Sequence, residues 1–469
     1  MSVLLIRPKN ESVPQGIVST QYPINLGYLA SWLKKNNVDV KLLDLEVEEL
    51  DNSQLLELIK EMKPVIAGFS CMTATIIAGH NIARFIKENF PDIKTVVGGV
   101  HSTAIPERTL EEFSCFDIVV RGEGEISLLE LYKAIASGGD ISKVKGLMYR
   151  SRGAGFIDTS LRPLIEDLDI LPFPDRGLSH INLYKRTHTS RAFSRLNKNI
   201  SEIMTARGCP YSCIFCASKV TFGSKVRYRS VKNITAEMEE CITKYKTNHF
   251  SILDDTFTFK KEVLYPVCDY LKSKHVTWDC FTRVDRLDEE LVRKAVESGC
   301  EKISFGLESG SEKILKLIKK GITIDGMKKA FSICRKSSLR YIEATFMLGN
   351  HPLETMDDIK ATMDLIMELD PDLAAFSMTA PFPGTELNKV MKEGGYLDKE
   401  KWDEFVLYGG TPSWRFEYLG INELKDIQKD FTKRFYLRPG YIFKELRKLK
   451  NLKEFIYWLR IGVSMVRAS

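Results

Sequence analysis

At 469 residues, with 44% hydrophobic and 28% charged side chains, the chain exceeds what one hydrophobic core usually supports, so two or three globular domains are expected. The apolar run after Met1 is too short for a signal peptide and no stretch approaches a membrane span, which predicts a cytoplasmic protein whose ten cysteines are reduced thiols. The net charge of +6 is concentrated in residues 433–469, where ten basic side chains face Glu445 and Glu454 for +8. The remainder is slightly acidic, which argues against nucleic-acid binding.

Residues 1–140 alternate short apolar runs with helical patterns, the sequence form of a Rossmann-like doubly wound parallel sheet. Strands are predicted at 3–6, 38–43, 65–69, 95–97 and 117–120, with helices such as 26–35 and 76–89 between them. Ligands of such sheets bind beyond the carboxyl ends of the strands. Those ends are Ser70-Cys-Met72, Gly98-Gly-Val-His101 and Arg121-Gly-Glu-Gly-Glu125. The dinucleotide fingerprint fails at Ser127, where a third glycine belongs, and no Walker A sequence occurs. His80 and His101 lie near these loops, but a lone histidine there is more often hydrogen-bonded than a ligand.

Residues 141–195 read as a hairpin, around Ser151-Arg-Gly-Ala-Gly155, followed by a proline-punctuated linker. A second series of strands and helices occupies 196–390, starting from Ile200 and continuing at 250–257, 278–283, 302–308, 341–347 and 373–378. Six strands with intervening helices predict a partial (β/α)6 TIM-like barrel with its active groups at the carboxyl ends of the strands. Asp254, Asp255, Arg283, Asp285, Glu308 and Ser309 collect there. Residues 391–469 are helical and aromatic, with Trp402, Phe405, Tyr408, Trp414, Phe416 and Tyr418 close together, and 441–466 forms a basic amphipathic pattern. Such a helix can lie on an acidic membrane surface or pack on its own protein.

The chemistry is carried by Arg207-Gly-Cys209-Pro-Tyr-Ser-Cys213-Ile-Phe-Cys216, directly after the first strand of the second series. Gly208, Pro210 and Ser212 are turn formers that let three thiolates converge on a metal or cluster. Structural zinc usually takes four ligands as two pairs, and the second pair is missing. An iron–sulfur cubane on three thiolates leaves one iron open. An open iron implies catalysis.

This loop resembles the signature of the radical S-adenosylmethionine (SAM) enzymes, with the aromatic Phe215 before the last cysteine. Together with the first domain, the chain resembles the radical SAM subfamily that carries an amino-terminal cobalamin (B12)-binding domain. The resemblance implies a [4Fe-4S] cluster on Cys209, Cys213 and Cys216, with SAM on the fourth iron and Phe215 against its adenine. It assigns Asp254, Asp255, Glu308 and Ser309 to the amino group and ribose of SAM, Arg283 to its carboxylate, and Ser70, Gly98 and Gly99 to cobalamin. The D-x-H-x-x-G motif is absent where Arg7-Pro-Lys-Asn10 stands, so no lower axial histidine is expected. Asn350-His351-Pro-Leu-Glu354 departs from the usual glycine-proline-glycine loop, which marks His351 as a feature of this protein's substrate site.

The implied function is cleavage of SAM to a 5′-deoxyadenosyl radical with cobalamin-dependent methyl transfer to an unactivated carbon. The substrate would be a small molecule or lipid, and the electron would come from a donor such as flavodoxin or ferredoxin. One alternative keeps the radical but replaces methyl transfer with carbon–carbon bond formation, ring formation or rearrangement. Another, of a different class, is a non-catalytic zinc or cobalamin-sensing module. The basic tail leaves peripheral contact with the inner face of the membrane open.

Overall fold

Aliphatic runs alternating with amphipathic helices build two parallel sheets in the computed structural model, which describes residues 1–10, 20–151, 153, 155–178, 184, 198–405, 414–448 and 455–456. The first sheet contains β1 (Ser2–Arg7), β2 (Asp39–Asp44), β3 (Pro64–Ser70), β4 (Lys94–Gly98), β5 (Ile118–Val120), β6 (Leu147–Arg150) and β7 (Phe156–Asp158), in the order β2-β1-β3-β4-β5-β6-β7. Strands β1 to β5 are parallel. Both faces of this parallel part are covered, as parallel strands require. Val3, Leu5 and Val96 pack with residues of the helices Ile24–Lys35 and Gly124–Ala136, whereas Leu4, Ile6 and Val97 pack with the helix Ile76–Asn89.

The hairpin expected within the linker instead continues this sheet. Ile118, Val119 and Val120 pair antiparallel with Tyr149, Met148 and Leu147, so the edge of β5 is covered.

The second sheet starts with β8 (Ile200–Ile203). A small hairpin with arms β9 (Ala206–Arg207) and β10 (Arg227–Tyr228) follows, then β11 (His249–Ile252), β12 (Thr277–Thr282), β13 (Cys300–Glu308), β14 (Tyr341–Leu348) and β15 (Leu373–Met378). Its order is β15-β14-β13-β12-β11-β8, parallel throughout, which is the expected partial barrel. Successive side chains alternate between faces. Phe250, Trp278, Phe305 and Phe346 join the main core. The alternate positions carry polar groups that pair with one another: His249 Nε2 lies 3.0 Å from Asp279, and Lys302 Nζ donates to Glu343 at 2.7 Å.

One apolar cluster includes residues of both sheets together with Trp402, Phe405 and Trp414, so the carboxyl-terminal segment packs into the shared core. Trp402 meets His101 at 4.8 Å between ring centroids, and Arg108 lies 4.5 Å from its ring. The helix Pro439–Lys448 buries Tyr441 and Glu445. Its Lys444 pairs with Asp370 and Asp372, each at 3.0 Å, so this part of the basic pattern packs on its own protein. Tyr408 and most of the pattern beyond Lys448 lie outside the described residues. Among the described residues, no helix is long and apolar enough to cross a membrane.

Candidate active site

Residues 208–226 leave and rejoin the barrel through the β9–β10 pair, in which Arg207 faces Arg227. Gly208 has φ +98°, and a Cβ there would lie 2.3 Å from the Lys225 carbonyl oxygen, so only glycine suits the position before Cys209. Ile214 anchors the loop: its N–H donates to the Ile318 carbonyl at 3.1 Å and its own carbonyl accepts from Leu387 N–H at 2.8 Å. Cys209, Cys213 and Cys216 are partly or fully accessible, whereas the other seven cysteines are buried. Partial burial raises the Cys209 thiol, so iron binding would release protons. Among the described residues, no three metal-ligating side chains are grouped to hold a single ion. A cubane asks less convergence, since each thiolate takes a different iron.

Several expected SAM residues gather around this loop. The Arg283 guanidinium lies 3.6 Å from the Tyr211 ring centroid, paired at 2.9 Å with Asp285 and donating at 3.3 Å to the Gly321 carbonyl. Lys320 Nζ sits 5.8 Å from the Phe215 ring and donates to Glu308 at 2.7 Å, which joins two expected residues through one the sequence did not single out. Glu308 has φ +69°, unusual for a non-glycine residue, and the β13–β14 register shifts beside it. Asn350 Nδ2 reaches the carbonyl oxygen of this bulged residue at 3.5 Å. Asn350 Nδ2 donates to the Met347 carbonyl at 2.7 Å, and Glu354 accepts from Asn350 N–H at 2.9 Å and Nδ2 at 3.0 Å. Burial pushes Glu354 up to about 7.

Asp255 is exposed and accepts from Ser218 Oγ at 2.6 Å. Asp254 is buried and accepts from Thr205 N–H at 2.7 Å, Ala206 N–H at 3.3 Å and the Thr205 hydroxyl, so it braces the start of β9; burial pushes it up to about 6. Ser309 is fully buried beside Thr362 Oγ1 at 3.3 Å and accepts from Ser311 N–H at 3.1 Å. The His351 ring accepts from Leu353 N–H at 3.2 Å within its own turn.

At the carboxyl ends of the first sheet is a mostly apolar cavity of ≈ 250 Å³, lined by Ser70, Gly98 and Gly99 with Leu5, Val96 and Val120. Gly99 has φ +105°, and a Cβ there would lie 2.4 Å from the Cys71 carbonyl oxygen, so the backbone itself forms the wall. His80 lies 2.8 Å from Cys115 Sγ, and buried His101 lies 3.2 Å from Thr73 Oγ1; neither lines the cavity. Met204, Arg207, Thr221 and Phe222, from the barrel and the cysteine loop, close its other side. A buried charge cluster there escaped the sequence reading: Arg207 and Arg227 with Glu123 and Glu125. Its only linear trace is an arginine just before the cysteine loop and two glutamates at a strand end.

A B12 binding domain model matches residues 17–132, and a radical SAM superfamily model matches residues 203–366. An uncharacterised methyltransferase of Pyrococcus horikoshii is 31% identical over 449 residues, 95% of each chain. This chain belongs to the cobalamin-binding radical SAM enzymes. The anaerobic magnesium-protoporphyrin IX monomethyl ester cyclase of Rubrivivax gelatinosus is 29% identical over 97% of this chain and 81% of its own. Among solved structures, the cobalamin-dependent SAM radical enzyme OxsB aligns at TM-score 0.76 and 16% identity, over 99% of this chain and 71% of that one, a likeness of fold.

As a member of this family the chain is an enzyme whose cofactors are a [4Fe-4S] cluster, SAM and cobalamin. The residues present fit them. Accessible thiols are confined to one tight loop, and a glycine-walled cavity opens beside it.

Proposed function

We propose that this enzyme transfers a methyl group to an unactivated carbon of a small-molecule substrate. The observation that carries this is the shared wall: the cavity suited to cobalamin is closed by Arg207, Thr221 and Phe222, which flank or belong to the segment bearing the three cysteines. The methyltransferase relative supports the same reading. When bound, the cluster supplies the electron that splits SAM into methionine and a 5′-deoxyadenosyl radical, and cobalamin supplies the methyl group.

The side chains have separable jobs in this proposal. Cys209, Cys213 and Cys216 hold three irons. Phe215 offers a face to the adenine of SAM, while Glu308, steadied by Lys320, and Asp255 take its amino group and ribose hydroxyls; Arg283 takes the carboxylate. Asp254 and Ser309 act through the backbone they hold, since their polar atoms are engaged by Thr205, Ala206, Ser311 and Thr362. Ser70, Gly98 and Gly99 receive cobalamin. His351 supports its turn and reaches substrate only through that loop's shape. Phe281, 40% exposed although it lies within β12 on the face of Asp279, is a substrate-wall candidate. Holding the reacting groups in one orientation supplies much of the rate.

The functional units are residues 1–158, 196–390 and the segment that follows, with a flavodoxin or ferredoxin as electron donor. Exposed Phe443 and Leu446 beside Arg447 support peripheral contact of the enzyme with the inner membrane face.

Anaerobic purification with cobalamin supplied, followed by iron, sulfide and cobalt analysis, tests the reading. Iron with cobalt is expected; iron without cobalt would remove methyl transfer and retain the radical step. A second reading, radical ring formation without methyl transfer, is favoured by the cyclase relative. Products distinguish the two: methyl transfer adds one methyl group and forms S-adenosylhomocysteine beside 5′-deoxyadenosine.

A further inference from the structure

Both ends of the cysteine-bearing segment 208–226 are gripped by one carboxylate. Glu123 accepts from Arg207 Nη1 at 2.8 Å and from Arg227 Nη1 at 2.8 and 3.0 Å, and it also accepts Ile165 N–H at 2.8 Å. Glu125 takes the other Arg207 nitrogen at 2.6 Å. Arg227 reaches the carbonyls of Ile165 at 2.6 Å and Phe222 at 3.2 Å. All four charged side chains are nearly excluded from water. Two anions and two cations can be buried there only as a set, since removing one partner leaves an uncompensated charge. Although burial opposes ionisation of Glu123, the hydrogen bond from Arg227 and the Arg207 charge outweigh it and keep the carboxyl below its ordinary value.

The two halves of this cluster come from different parts of the chain. Glu123 occupies the N-cap position and Glu125 lies in the first turn of the helix Gly124–Ala136 that packs on the first sheet, while Arg207 and Arg227 are opposite residues of the β9–β10 hairpin. Glu123, Glu125 and Arg207 also line the cavity described above. The same side chains therefore wall the cobalamin cavity and clamp both ends of the segment that holds the cluster.

We propose that Glu123 is a positioning residue that couples the two cofactor sites, so that filling the cobalamin cavity rigidifies segment 208–226. This rests on the assignment of the cavity to cobalamin. A ligand that binds only the clamped arrangement stabilises it by mass action, so at a hundred times its Kd it lowers the population of the opened segment, and with it amide exchange, about 100-fold. An ordinary ion pair with no such role would weaken the fold equally with and without cobalamin.

The test is amide hydrogen exchange over residues 208–226 in the full-length protein, with and without hydroxocobalamin. Wild type is compared with Glu123→Gln, and an absorbance titration reports binding separately. Exchange in wild type should slow by about 100-fold at saturation. In Glu123→Gln that slowing should fall to less than about threefold at the same occupancy, and the EPR signal of the reduced cluster should cease to respond to cobalamin. Equal slowing in both proteins, or none in wild type with cobalamin bound, overturns the coupling while leaving the cavity assignment standing. A flat titration in wild type overturns both. Should Glu123→Gln not fold, Glu125→Gln, which loosens Arg207 alone, decides in its place: a reduced slowing supports the coupling and an undiminished one overturns it.

Discussion

Placing one methyl group at Gly98 tests the cobalamin cavity with little disturbance of the fold. Gly98 ends β4 on the face of Val96, which lines the cavity, and an added Cβ would meet only the Val120 carbonyl oxygen at 3.5 Å, an ordinary contact. Gly98→Ala should therefore leave stability unchanged or raise it by about 0.4–1 kcal/mol through the unfolded chain. A methyl group facing a filled cavity costs about 1–3 kcal/mol of overpacking, which is about 5- to 150-fold in Kd. The neighbouring Gly99 is the contrast: its φ of +105° and the 2.4 Å approach to the Cys71 oxygen make Gly99→Ala a strained change. It should destabilise by about 2–5 kcal/mol, combining left-handed backbone strain with a steric clash. Thermal unfolding and titration with hydroxocobalamin, followed by absorbance, read both quantities. Gly98→Ala with unchanged melting temperature and unchanged Kd would refute the assignment of this cavity.

Three further outcomes follow from the same geometry. Cys213→Ala should abolish reductive cleavage of SAM while leaving cobalamin uptake intact; persisting cleavage would show that the ligand set is wrong. Trp402→Ala should destabilise by about 3–5 kcal/mol in urea unfolding, because the indole is packed between His101, Phe405 and Arg108; a loss under about 1 kcal/mol would show that it is no strut. Glu354→Gln should give a pH-dependent deficit. Burial raises the folded-state Glu354 carboxyl to about 7 from 4.5, so its contribution is fully present below about pH 4.5 and is lost as pH rises through 7. The stability gap between wild type and variant should therefore narrow by about 3 kcal/mol between pH 4.5 and 8. A gap that stays constant or widens would contradict a carboxyl whose burial outweighs its hydrogen bonds from Asn350.

Much of the architecture was legible because it depends on local pattern. Continuous apolar strands between amphipathic helices can bury both faces only in parallel sheets, and the predicted strands of both sheets recur within a few residues of their observed bounds. The hairpin around residue 151 was legible as a hairpin but not as part of the first sheet. Covering the open edge of β5 is a tertiary need that leaves no mark in the hairpin's own residues. The site divides the same way. The cysteine loop is a short-range pattern of ligands and turn formers, whereas Lys320 becomes part of the site only when Glu308 and Phe215 are brought together.

Spacing along the chain determined by itself that three thiols would share one loop, that glycines would end the first sheet's strands, and that two α/β units would be present. Ligand geometry within a turn and the period of buried side chains are set by neighbouring residues. Only the tertiary structure decided that Glu123 and Glu125 meet Arg207 and Arg227, partners separated by 84 and 104 residues in two of their contacts. Buried charges are tolerated only where an opposite charge arrives from elsewhere in the fold, and no local pattern records where that partner will come from.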